Sequence, residues 1–468
     1  MNRTGIFVAA VVVLVALPWA AAGQEATHPT FSKDVAPILF DHCVSCHRPG
    51  EVAPMSLTSY EAVRPWARAV RTKVVSREMP PWHADPAFGS FKNNTSLTHE
   101  EIDIISRWVD AGSPRGNEAD LPEFPVFAEG WQGDDGPPDV VYTMPEYAAA
   151  AEGEIAYINF YVQNTLPEDK FIRAIEMRPS NRRVTHHGRI DTVILPDTCS
   201  VDERGYLLEN GTGLPCSDNP TTGGTFDAPE ETGERFHLIA YVPGRSYERY
   251  TPGVGKRLKS GLWLRFNMHY QATGTPEVDA TRLGLWFHKS PVTHEVFTQT
   301  IGNSLPTAVV PVRHSLVDGT EYVSGAGASR DKVPAIPPFA DDWKIVSVTP
   351  VTEPITVYHM WPHMHLRGKD MKWVVTYPDG RDETILSVPN YDFNWQLQYE
   401  LAAPLHLPAG SKVTAVGHYD NSLNNRWNPA PEKEVYWAEQ SWDEMFIPYI
   451  GYTVDSLDLS NPKKSTDD

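Results

Sequence analysis

Cysteine and positive charge are both scarce in this chain. Four cysteines in 468 residues are too few for a disulfide framework. Lys and Arg number 40 against 60 Asp and Glu, a net charge of −20 at neutral pH. Phosphate-backbone recognition draws its affinity from clustered Lys and Arg, so no nucleic-acid partner is expected. Beyond the first twenty or so residues no apolar run is long enough to cross a bilayer, so no membrane span is expected in the mature protein. What is abundant is punctuation: Pro 41, Gly 32 and 11% aromatics. That composition excludes a disordered tail protein and favours short strands and turns over a helical bundle.

The N-terminus reads as a signal peptide over residues 1–23. Arg3 precedes an apolar run over 6–19, and Ala20, Ala21, Ala22 and Gly23 supply a small-residue cleavage zone. The expected location is periplasmic or secreted. There Cys199 and Cys216, in a Gly-, Asp- and Pro-rich stretch, are expected to form a structural disulfide worth about 3 kcal/mol.

The other two cysteines belong to Cys43-Val44-Ser45-Cys46-His47, the c-type haem attachment pattern. In it the thiols form thioethers to a covalent haem c and His47 becomes the proximal iron ligand. A bare redox pair would not need His47. Phe31, Val35, Ile38 and Leu39 recur at helical spacing before Cys43. Thr98-His99-Glu100-Glu101 is a capping box opening a second helix, with Ile102, Ile105 and Val109 on one face and Gly112 at its end. Residues 28–115 thus resemble a class I cytochrome c, which implies a methionine as sixth ligand. Met79 in Met79-Pro80-Pro81-Trp82 is the choice, with Met55 and then His83 as competitors.

A Pro-, Gly- and acid-rich linker over 116–139 leads into strand-like patterns near 155–162, 184–195, 262–270 and 371–377. A second loop-like stretch, at about 319–342, divides the remainder into 140–318 and 319–460. The expected fold is therefore multidomain: a small all-α cytochrome c-like domain followed by two all-β jelly-roll-like sandwich domains. In the alternating run from Leu262, His269 falls on the more polar face. His186 and His187 would point to opposite faces of a regular strand, so joint metal binding needs a local distortion, which Gly188 could assist. His363 and His365, at i and i+2, share one strand face. His314, His359, His406 and His418 receive no role.

The ordered set His186-His187, His269-Tyr270, His363-Met364-His365-Leu366-Arg367-Gly368-Lys369 and Asp443-Glu444-Met445 resembles the type II copper, ascorbate-dependent monooxygenases over residues 140–455. The resemblance implies two copper ions facing each other across a solvent-filled cleft. One would sit on His186, His187 and His269, the other on His363, His365 and Met445, with Tyr449 nearby. Two imidazoles and a thioether suit Cu(I), whereas zinc rarely takes a thioether. The polar anchors for a peptide carboxylate are replaced by Trp361 and Ile447, which points to a less polar substrate. The function implied is an exported haem–copper monooxygenase hydroxylating a C–H bond of a small organic substrate with O2. Its haem would feed electrons to the copper sites from ascorbate or another redox protein. The alternatives are a non-enzymatic periplasmic electron-transfer or copper-binding protein and a zinc hydrolase with an accessory cytochrome.

Overall fold

The strand-like patterns become strands by burying their apolar residues against the cores between sheets. In Trp263–Tyr270 the fully buried positions include Leu264, Phe266 and Met268. The computed structural model describes residues 28–460 apart from 129, 134–135, 215, 217–235, 301–312, 318–319, 325–334 and 439, and leaves out the side chains of 236, 313–317 and 320–324. The expected signal peptide and the expected boundary at 318/319 lie outside the described residues, as does part of the linker.

Four larger sheets dominate. The first has six strands, in the order Val140–Thr143, Arg282–Phe287, Lys170–Arg178, Val254–Leu258, His294–Glu295, with Tyr247–Arg249 also paired to Lys170–Arg178. The second runs Ile158–Gln163, Trp263–Tyr270, Thr185–Val193, Phe236–Tyr241. The third runs Phe297–Thr300, Ile447–Val454, Ile355–His363, Tyr399–Leu407. The fourth has six strands, Thr320–Ser324, Arg313–Val317, Trp343–Pro350, Lys412–Tyr419, Gly368–Thr376 and Asp382–Val388.

Apolar cores join these sheets in series. Ile172, Ile175 and Met177 of the first meet Ile190, Leu264 and Phe266 of the second. Val357, Met360 and Ile450 of the third meet Trp373, Val375 and Val413 of the fourth. The two inner sheets also share a small core, in which Ala240 packs with Trp361, Ile447 and Tyr449. Strand Ile447–Val454 is buried at all of its positions, consistent with an apolar run that does not alternate.

The helices are short. Ala36–His42, Ala67–Val75 and His99–Asp110 pack Leu39, Val70, Ile105 and Trp108 around one core, and the Thr98/Glu101 capping box forms. The segment between Ala67–Val75 and His99–Asp110 joins the third and fourth sheets. Trp82 packs edge-on against Tyr399, Phe91 bridges Leu401, and the Asp85 N–H donates to the Ser387 carbonyl at 2.8 Å. An ionic chain, buried at Arg245 and Glu248 and reaching the surface at Lys92, ties this segment to the third and first sheets: Arg245 meets Glu248 and Glu400, each at 3.1 Å, and Lys92 meets Glu400 at 2.8 Å.

This architecture corrects the expected fold. A helical domain followed by two separate jelly-roll-like sandwiches would leave a solvent-filled cleft between the sandwiches. Instead the four sheets form a connected series, and the inner two are in direct apolar contact.

His359, beside this ionic chain, is buried opposite Gly451 in the third sheet. Any Cβ at Gly451 would fall inside the His359 ring. Gly451→Ala should therefore destabilise the protein by about 1–3 kcal/mol through overpacking, read from urea unfolding midpoints. Burial pushes the His359 pKa down to about 3, outweighing Glu248 beside it. The unfolded state takes up this proton near pH 6.5 and the folded state does not, so stability falls as pH drops from about 6.5 towards 3. His359→Gln should flatten that slope by about 1.4 kcal/mol per pH unit near pH 5. An unchanged slope in thermal or urea unfolding would refute this.

Candidate metal centre

The centre begins with a defect in strand pairing. Strand Thr185–Val193 pairs with Trp263–Tyr270 so that His187 faces His269, but Tyr270 already faces Thr185. His186 is the extra residue of a β-bulge, which lets His186 and His187 project towards the same place. This is the distortion the sequence demanded. Gly188 has a different part in it: a Cβ there would lie 2.8 Å from Met177 Cε and 3.0 Å from Met268 Sδ. The glycine lets the strand lie against those methionines.

The result is a cluster of three imidazoles, His186, His187 and His269, with one ligand atom from each lying within 4.8 Å of the others. The Nδ1 atoms of His186 and His269 are 3.3 Å apart, and those of His187 and His186 are 3.1 Å apart. Metal–nitrogen bonds of 2.0–2.1 Å in a tetrahedron place donors about 3.3 Å apart, so the residues fit a metal ion. Each ring is also held by a second contact. Tyr157 Oη lies 2.6 Å from His187 Nε2, Ile155 makes a backbone hydrogen bond to His269, and the Asn394 side chain bonds His186. Burial drives all three pKa values down, to about 4 for His186, about 3 for His269 and well below the usual range for His187. The rings are neutral, as metal ligands must be.

His363, His365 and Met445 also come together. His363 ends its strand, and its Nε2 lies 3.3 Å from Met445 Sδ. His365 lies beyond the strand, not on a shared strand face as the i, i+2 spacing had implied. The carboxylate of Glu444 accepts the N–H groups of His365, Arg367 and Met445 at 2.9, 2.7 and 3.3 Å. Burial pushes the Glu444 pKa up to about 8 despite those donors. Gln396 Oε1 contacts His363 Nδ1, and the Asp443 carbonyl lies 3.2 Å from His365 Nδ1.

The two groups share one pocket, lined by Tyr157, His187, Arg189, Trp361, His363, His365, Gln396 and Met445 among others. The Tyr157 ring stacks on His269 at 4.6 Å and lies 6.4 Å from His365, nearly parallel to both. Tyr449 lies behind two of these lining residues: its hydroxyl accepts from Arg189 at 2.7 Å and its ring stacks on Trp361 at 4.7 Å. Tyr157, Arg189, Phe393, Gln396 and Glu444 were not singled out from the sequence. Only Glu444, inside the Asp-Glu-Met segment, carried a local signal.

The expected cofactors are corrected by this geometry. Among the described residues a single cluster of three His, Cys, Asp or Glu side chains meets the geometry for a metal ion, where two separate copper sites and a haem c were expected. The Cys43-to-His47 sequence is present, but Cys43 and Cys46 are free cysteines outside that cluster. Burial pushes the Cys43 thiol up to about 12. His47 Nδ1 meets the Met55 carbonyl at 3.2 Å, and Met55 packs on the helical core, whereas the Met79 N–H donates to the Lys73 carbonyl at 3.2 Å. Cys199 and Cys216 form a disulfide, with Cα atoms 6.2 Å apart.

No family model matches the chain, and no curated protein matches it. Among solved structures, one of infectious bursal disease virus Gx strain is 11% identical and covers 69% of this chain and 74% of its own, at a TM-score of 0.16. The tandem CBM22-1-CBM22-2 domain of Paenibacillus barcinonensis Xyn10C is 9% identical, covers 64% and 78%, and scores 0.13. Procruciferin of Brassica napus is 8% identical, covers 70% and 87%, and scores 0.09. Scores of this size carry no argument. The single three-histidine cluster among the described residues, together with the four connected sheets, corrects the reading as a copper- and haem-dependent monooxygenase with an organic substrate, O2 and an electron donor as partners. What the structure supports, among the described residues, is a set of four larger connected sheets with one three-histidine cluster.

Proposed function

We propose that this chain is an exported metal-binding protein that holds one late first-row transition-metal ion on His186, His187 and His269. The observation that carries the reading is the convergence of three neutral imidazole Nδ1 atoms at spacings of 3.1 and 3.3 Å. Three nitrogen donors leave a fourth position open, and imidazole suits late first-row ions far better than magnesium or calcium. His363, His365 and Met445 line the same pocket and supply further soft and borderline donors beside it. Export is supported by the Cys199–Cys216 disulfide, a bond that persists in oxidising compartments, and by the signal-like residues 1–23. We propose the organisation as leader 1–23, helical segment 28–115, linker 116–139 and sheet-bearing parts 140–318 and 319–460.

Calorimetric titration of the metal-free protein with Zn2+ at neutral pH should show one equivalent bound at the three-histidine cluster. His269→Ala should abolish that binding. Tyr157→Phe, which removes the contact on His187, should weaken it by about 10- to 100-fold. Binding that survives in the His269→Ala variant would sink the assignment.

A further inference from the structure

All five imidazoles of the two groups are reached by one loop that no motif announced. Phe393 is buried, and its ring centroid lies 6.3 Å from His186, 5.5 Å from His187, 6.1 Å from His269 and 5.9 Å from His365. It meets His187 and His365, one from each group, at 87° and 84°, so it stands as a wedge between them. Two neighbours complete the set: Asn394 bonds the His186 ring, and Gln396 Oε1 contacts His363 Nδ1.

The loop itself is stiff. The Asn394 N–H and side-chain amide both donate to Asp392 Oδ1 at 2.9 Å, and the Gln396 amide donates to the Phe393 carbonyl at 3.2 Å. Trp361 Nε1 donates to the Gln396 carbonyl at 3.0 Å. Upstream, the Tyr391 hydroxyl donates to the Met364 carbonyl at 2.7 Å, between the two histidines of the second group. A side chain fixed in this way can hold its neighbours in place, which a mobile one cannot.

We propose that Phe393 is a positioning residue for the metal site, fixing the three-imidazole group relative to His363 and His365 and excluding water from the space between them. The proposal rests on the metal-binding reading above. Removing the ring opens a cavity against four polar rings, and a polar cavity of that size admits water. One water completes the fourth position of the three-imidazole site in the wild-type chain, and the further water admitted to such a cavity raises the coordination number above four.

Co2+ bound to the purified chain reports this directly, because its visible absorption is intense when four-coordinate and weak when water adds to the shell. In the wild-type chain an intense band is expected. Phe393→Ala should still bind one Co2+ but lose severalfold in band intensity, while Phe393→Leu, which keeps apolar bulk, should retain most of it. Asn394→Ala, a milder change for use should the alanine variant not fold, should shift the band by loosening His186. A band unchanged in Phe393→Ala, or in Asn394→Ala where only that variant folds, would overturn the proposal while leaving the metal site standing. Failure of the wild-type chain to take up Co2+ would overturn both.

Discussion

Five imidazoles crowded this closely together, most of them buried, can coexist only while uncharged, and much of the surrounding structure serves that requirement. Water would ordinarily satisfy their ring nitrogens. Here the partners are Tyr157 and Ile155 from one segment, Asn394 and Gln396 from one loop, and the Asp443 carbonyl from a third. A buried polar group without a partner costs on the order of 1–3 kcal/mol, so five such rings without their contacts would consume a large part of a typical domain's stability. The contact between the second and third sheets is what encloses this space. Trp361 and Tyr449, neighbours on paired strands of the third sheet, stack on its side of that contact, and Arg189 reaches over from the second sheet to the Tyr449 hydroxyl.

The bulge at His186 shows how a local irregularity becomes a binding geometry. A regular strand would send His186 and His187 to opposite faces, and one unpaired residue removes the conflict. The neighbouring glycine is then a packing necessity, pressed between Met177 and Met268. The second group is built by other means: its His365 stands outside any strand and is held by the buried Glu444 carboxylate.

Local pattern made several elements legible in the sequence. The Thr98–Glu101 capping box, the alternation around Phe266 and the Cys199–Cys216 pairing all depend on nearby residues or on simple scarcity. The histidines themselves were legible because six chemically distinctive side chains recur in suggestive spacings. The relation between elements was not. Nothing local indicated that Trp361 would meet Tyr449, or that the loop at Phe393 would enter the space between two histidine groups. The expectation of two separate metal sites failed at this level, since resemblance supplied a cleft where apolar contact between Ala240 and Ile447 brings the inner sheets together. The haem expectation was also drawn from a short local sequence, Cys43 to His47.

Strand Ile447–Val454 carries a further consequence. It lies inside the third sheet, between Phe297–Thr300 and Ile355–His363, yet it comes from near the far end of the described chain. Until residue 454 has left the ribosome, Val357, Met360 and Trp361 lack the partner that covers them. Such late, long-range closure is slow and leaves sticky edges exposed in the meantime. A truncation just before Ile447 would leave strands Phe297–Thr300 and Ile355–His363 without the strand between them, and is expected to aggregate rather than give a smaller folded protein.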